Sequence, residues 1–177
     1  MRSAPQEPPR PAGTGTRRGI IFLWAAGVLG LVHASFSAYW ALGGQWLLGT
    51  VGGFAVQARQ ESPVQAALVL TGAALLKAAA AVIPLASGYG RFPFPRLIRV
   101  LCWAGGTGLV LYGAVNTAAA CAVLAGWIPA GPDADLEGLK GHAWLWDPLF
   151  FAWGAALVVY LWLSRTGPAR PAPSTAG

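Results

Sequence analysis

Two ionisable side chains, His33 and Lys77, fall inside long apolar stretches of this chain, and Asn116 falls inside another. A polar or charged group placed in hydrocarbon is costly, and so is by default a candidate for function. Counted along helices, His33 lies ~14 Å from one end of its stretch, and Lys77 and Asn116 lie ~18–20 Å from the corresponding ends of theirs. All three therefore reach a common middle layer. Tyr112 stands one turn from Asn116, which makes His33, Lys77, Tyr112 and Asn116 a candidate intramembrane polar cluster. The chemistry open to it is proton transfer or hydrogen bonding to a ligand. Each member also has a purely structural reading. Lys77 can snorkel to the membrane surface, and His33 and Asn116 can bond a neighbouring helix.

A second group sits at the predicted outer ends of the stretches: Trp40, Trp46, His142, Trp146 and Asp147. Aromatic walls with a few convergent polar groups suit a small ligand, so these five form a candidate outward-facing pocket. The structural alternatives are an aromatic belt at the membrane interface and, for Asp147 before Pro148, an N-cap followed by proline at the first helical position. Metal chemistry has little support. The chain has 2 histidines and 2 cysteines, with no HExxH or CxxC. Cys102 and Cys121, on one predicted helix, lie ~28 Å apart, too far for a disulfide. No catalytic set, cofactor or metal is expected.

The elements that must position these residues follow from composition. Hydrophobic residues are 55% of the 177 and charged residues only 10%, with a mean hydropathy of +0.53. This excludes a disordered chain and argues against a water-soluble domain. One spanning helix needs about 20 apolar residues, and the sequence predicts spans at about 20–42, 64–85, 98–128 and 148–163. The third is longer than a bilayer requires and should tilt or protrude. The expected class is an all-α integral membrane protein, a four-transmembrane-helix bundle. A basic, proline-bearing tail (1–18) and a proline-rich tail (166–177) flank a membrane domain over 19–165, and both tails are expected to be disordered. Arg17 and Arg18 before an apolar run also resemble a secretory signal, but the run is long and three more spans follow.

Small residues mark where helices can approach in lipid. Ala26, Gly30, Ala34 and Ala38 form one stripe at four-residue steps, and Gly113, Thr117, Cys121 and Ala125 form another. Orientation follows from the basic residues. Arg2, Arg10, Arg17, Arg18, Arg91, Arg96, Arg99, Arg165 and Arg170 fall on one side, against Arg59 and Lys140 on the other. Both termini are thus expected in the cytoplasm, with the chain in the cell (plasma) membrane. The net charge of +6 reflects this topology rather than nucleic-acid binding.

His33, the string Tyr39-Trp40-Ala41-Leu42-Gly43-Gly44, then Leu145-Trp146-Asp147-Pro148 with Trp153-Gly154 resemble an uncharacterised bacterial membrane family, domain of unknown function 3995. The resemblance implies a small multi-pass protein of the bacterial inner membrane and no particular activity. Lys77 matches none of its motifs. Three function classes follow. The preferred one is a non-enzymatic membrane component acting through helix–helix or partner contacts, with membrane lipids, a second copy or another membrane protein as partners. The others are a binder or carrier of a lipid, quinone or small apolar molecule in the outer pocket, and an intramembrane enzyme using His33 or Lys77.

Overall fold

The computed structural model describes residues 14–91 and 93–166. Residues 1–13 and 167–177, most of the two expected tails, lie outside them. The described chain is helical: α1 (Thr14–Ala41), α2 (Gly53–Glu61), α3 (Pro63–Gly88), α4 (Pro95–Leu124), α5 (Leu136–Gly141) and α6 (Asp147–Leu163). Residues His142–Trp146 form a π-helical turn that joins α5 to α6. Four helices are long and apolar enough to cross a membrane: Gly19–Ala41, Pro63–Gly88, Pro95–Leu124 and the joined Leu136–Leu163.

Helix boundaries depart from the sequence reading where local chemistry was misjudged. The first helix starts at Thr14, inside the segment expected as a tail. The second runs on to Gly88 through Pro84, which was expected to end it. A proline lacks the N–H and crowds the carbonyl four residues back, yet the helix continues for four residues beyond it. The third begins earlier, at Pro95 in the first helical turn, and ends four residues earlier, at Leu124. Gly126, at φ +75°, then turns the chain, and Trp127 N–H bonds the Ala122 carbonyl. Asp147 is not an N-cap. The helix that contains it starts at Leu136, and its cap is Asp135, whose carboxylate accepts from Gly138 N–H at 2.9 Å.

The long helices alternate in direction. α1 and α6 are central and pack on each other, α3 covers α1, and α4 covers α6. α3 and α4 scarcely meet, so one corner of the bundle is open. Small residues set these approaches. A Cβ on Gly30 would lie 2.6 Å from Trp153 and 2.7 Å from Ala81, so α1, α3 and α6 converge there. On α4 the buried small residues are Gly106, Gly113 and Ala120, seven apart. Only Gly113 of the expected four-step stripe is buried. A four-residue step turns about 40° round a helix, whereas a seven-residue step drifts about 20°, so the heptad holds one face and the four-step series leaves it.

At the end where α1 and α4 finish, the segment 43–62 folds back over the bundle. Trp40, Leu48 and Trp146 form a buried apolar cap with Phe36 and Leu70 packed against it. A Cβ on Gly141 would run into the Thr50 backbone, so this segment lies flush on α5. Arg59 from α2 donates to the Trp40 carbonyl at 2.5 Å, placing a cation at the α1 C-terminus, where the helix dipole favours it.

Substitution of Gly113 tests the α4–α6 contact. Its Cβ would lie 2.5 Å from the Asp147 carbonyl oxygen and from Phe151 N. Gly113→Val should destabilise the protein by ~1–3 kcal/mol. Gly72, with open space around it, should accept alanine without loss. Thermal unfolding of both variants in detergent checks this.

Candidate functional site

The polar residues form two groups at different places on the bundle. In the first, Lys77 of α3 reaches towards α1. Its Nζ lies 3.2 Å from His33 Nδ1 and donates to Ser37 Oγ at 2.9 Å. It also sits 5.6 Å from the centre of the Phe150 ring, a cation–π geometry. His33 and Ser37 are one helical turn apart, which puts both on the face that meets α3. An ammonium group only donates. When Lys77 is an ammonium, Nδ1 of His33 is the acceptor and a neutral imidazole carries its proton on Nε2. His33 is buried, with its ring 3.9 Å from that of Phe150 and 5.7 Å from that of Trp146. Its Nε2 has no hydrogen-bond partner. Lys77 thus turns inward to α1 rather than along its helix to the surface.

The second group is built on the π-turn. Pro148 cannot donate to the Trp144 carbonyl, and the wider turn before it absorbs the break. His142 and Asp147 are five residues apart, which would place them about 140° apart round an α-helix. The i→i+5 turn brings them together, with His142 Nδ1 2.9 Å from Asp147 Oδ2. His142 Nε2 lies 3.1 Å from the Val51 carbonyl oxygen. That carbonyl accepts only, so Nε2 carries a proton. Another proton lies between Nδ1 and Oδ2. The pair is then either imidazolium–carboxylate or imidazole–carboxylic acid, and it is neutral overall in both forms. Neutrality suits Asp147, which is 0% exposed, because an isolated charge there would be very costly.

Asp147 Oδ1 has no partner. With His142 and Asn116 it lines a groove of about 240 Å³, whose other walls are Ala119, Ala120, Val123 and Leu139. Asn116 Nδ2 donates to the Tyr112 carbonyl at 2.8 Å, so its Oδ1 is left as an acceptor. The groove thus offers acceptors and an apolar wall. Tyr112 sets its ring edge-on to Phe150 at 5.6 Å. Thr117 Oγ1, on the same helix as Asn116, is buried without a partner.

The four residues of the expected polar cluster are therefore divided. His33 and Lys77 pair with each other, whereas Asn116 joins His142 and Asp147. The five outer residues divide as well. Trp40 and Trp146, each 3% exposed, are cap core and not pocket walls. Their indole N–H groups donate to the Trp46 carbonyl at 2.8 Å and to Thr50 Oγ1 at 3.0 Å. Trp46 is largely exposed and borders a separate shallow groove with Phe36 and Tyr39. The Val51 carbonyl and Phe150 were missed by sequence reasoning. Neither a backbone carbonyl nor one phenylalanine among many apolar residues carries a signal in the sequence. Among the described residues, no group of three or more His, Cys, Asp or Glu side chains is placed to hold a metal ion.

Asp135 ties the cap to α5. Its Oδ1 accepts from Gly138 N–H, and its Oδ2 accepts from Gly53 N–H at 2.5 Å. These two backbone donors, Gly138 foremost, hold its carboxyl below the usual 3.8.

The model of one protein family, described as "Protein of unknown function (DUF3995)", matches residues 19–157. No curated protein and no solved structure matches the chain significantly.

Two outcomes follow from these pairs. His142→Ala leaves a buried carboxylate alone and should destabilise by about 3 kcal/mol, while the double variant His142→Leu, Asp147→Leu should recover most of that. Chemical unfolding in detergent measures both. The stabilisation from Asp135 is complete above the ordinary carboxylate pKa and fades as pH falls through its lowered folded value. The stability difference between the wild type and Asp135→Asn should therefore shrink below about pH 4, as a pH series of melting curves would read.

Proposed function

The chain belongs to this family of unknown function, and on that premise we propose that it is a non-enzymatic plasma-membrane protein that holds a small apolar molecule at Asp147. Both termini lie in the cytoplasm in this reading, which the one-sided distribution of arginine supports. The observation that carries the binding role is the unpartnered Oδ1 of a wholly buried Asp147 in a groove. A buried acceptor without a donor is unfavourable, and a ligand donor relieves it. The acceptors, Asp147 Oδ1 and Asn116 Oδ1, select a hydroxyl or an amine. They disfavour a quinone, whose carbonyls only accept. Ala119, Ala120, Val123 and Leu139 would take the apolar body.

A second reading, action through contacts with another membrane protein, draws on α3. Its apolar outer face is almost wholly uncovered, and Gly72 has open space around it. The enzyme reading has less support, because Lys77 Nζ pairs with His33 Nδ1 and Ser37 Oγ, and neither His33 nor Lys77 lines the grooves above.

Native mass spectrometry of the full chain released from mild detergent tests the binding role. One bound mass at fixed stoichiometry is expected in the wild type, and its loss in the double variant His142→Leu, Asp147→Leu, which removes the Asp147 acceptor while keeping most of the stability. A bare subunit, or equal retention in that variant, overturns it. A reporter fused after Arg165 that is active only outside the cell overturns the orientation.

A further inference from the structure

The open corner between α3 and α4 is a cleft in two connected parts. The upper part, about 190 Å³, is walled by Ile83, Leu101 and Gly105 and floored by Trp153 and Leu157 of α6. The lower part, about 160 Å³, is lined by Ser87, Arg99 and Tyr160 among others. Pro84, Ile98 and Cys102 line both, so an apolar slot opens into a polar one.

Arg99 is the distinctive group. It donates to Ser164 Oγ at 3.0 Å and to the Leu161 carbonyl at 2.6 Å. Both acceptors are neutral, and a guanidinium has five N–H donors. Among the described residues the one ion pair is His142–Asp147, at the other end of the bundle. The described carboxylates, Glu61, Asp133, Asp135, Glu137 and Asp147, all belong to that other end. Arg91, Arg96 and Arg165 crowd the Arg99 end. Among the described residues this half-buried cation has no carboxylate beside it, and an anion complements it. The adjoining slot, open towards hydrocarbon, requires that this anion carry an apolar chain. Basic pockets between helices at a cytoplasmic face suit anionic lipid headgroups.

We propose that the α3–α4 cleft holds one anionic phospholipid, with an acyl chain over Trp153 and Leu157 and its phosphate at Arg99. The lipid fills the corner that α3 and α4 leave open and joins the two outer helices. The site is independent of the Asp147 groove, which lies at the opposite end.

The test places the full chain in nanodiscs containing equal amounts of phosphatidylglycerol and phosphatidylcholine with the same acyl chains, followed by native mass spectrometry of the released protein. The wild type should keep one phosphatidylglycerol with about fivefold preference. Arg99→Gln should lose the preference, and Arg99→Lys should retain it. Gly105→Leu fills the apolar slot at a position with open space, so the fold should persist while both lipids are lost. This variant decides the matter if Arg99→Gln fails to fold. No preference in the wild type, or full retention in Gly105→Leu, overturns the proposal. So does displacement of the lipid by excess inorganic phosphate, since a free anion would then suffice. The double variant His142→Leu, Asp147→Leu should leave the lipid in place even if it removes a ligand from the other groove.

Discussion

The contact between His142 and Asp147 ties together parts of the chain that are otherwise far apart. Asp147 is buried at the wall of its groove, and its charge can be tolerated there because the imidazole shares a proton with it. The other face of that imidazole holds the Val51 carbonyl, so the same side chain pins the cap segment to the last helix. The contact needs the π-turn, and the π-turn follows from Pro148, which interrupts the α-helical ladder one residue after Asp147. One proline thus decides where a carboxylate points, what neutralises it and how the cap is anchored.

Around this anchor the helices lie in an order that leaves the bundle unsymmetrical. Gly30 on α1 and Gly106, Gly113 and Gly154 on α4 and α6 let three backbones come close, and the bulk of Trp153 fills the centre. α1 and α6 are consequently buried about equally, whereas α3 and α4 present most of their surface outward. Exposed apolar side chains on those two helices, such as Leu75, Leu76, Leu101 and Val115, suit lipid better than water. The two ends of the molecule differ in charge and in shape. Among the described residues, one carries the carboxylates and a packed tryptophan cap, and the other carries arginines beside an open cleft.

Much of this was legible from residues alone. The four long apolar helices followed from hydropathy, because a run of about 20 apolar residues has few alternatives to a spanning helix. The meeting of His33 with Lys77 was anticipated from the middle layer both reach, and Gly30 and Gly113 stood in the stripes that marked close packing. The Asp-Pro pair was misread because that dipeptide commonly opens a helix. The helix had in fact begun at Leu136, in a segment whose charges and glycines looked like a loop. Trp40 and Trp146 looked like interfacial or pocket aromatics, since sequence cannot say whether a second segment folds over them.

The sequence by itself determined the helical class, the number of long helices and the uneven distribution of charge. Each of these depends on local hydrophobicity and on backbone hydrogen bonds that close within one segment. Only the tertiary structure decided that Asn116 faces Asp147 rather than Lys77, that the outer tryptophans are core, and that α3 and α4 stand apart. Those outcomes depend on which face each helix turns to its neighbours. Rotation about a helix axis is set by the fit of small residues against large ones across the whole bundle, and no single segment contains that information.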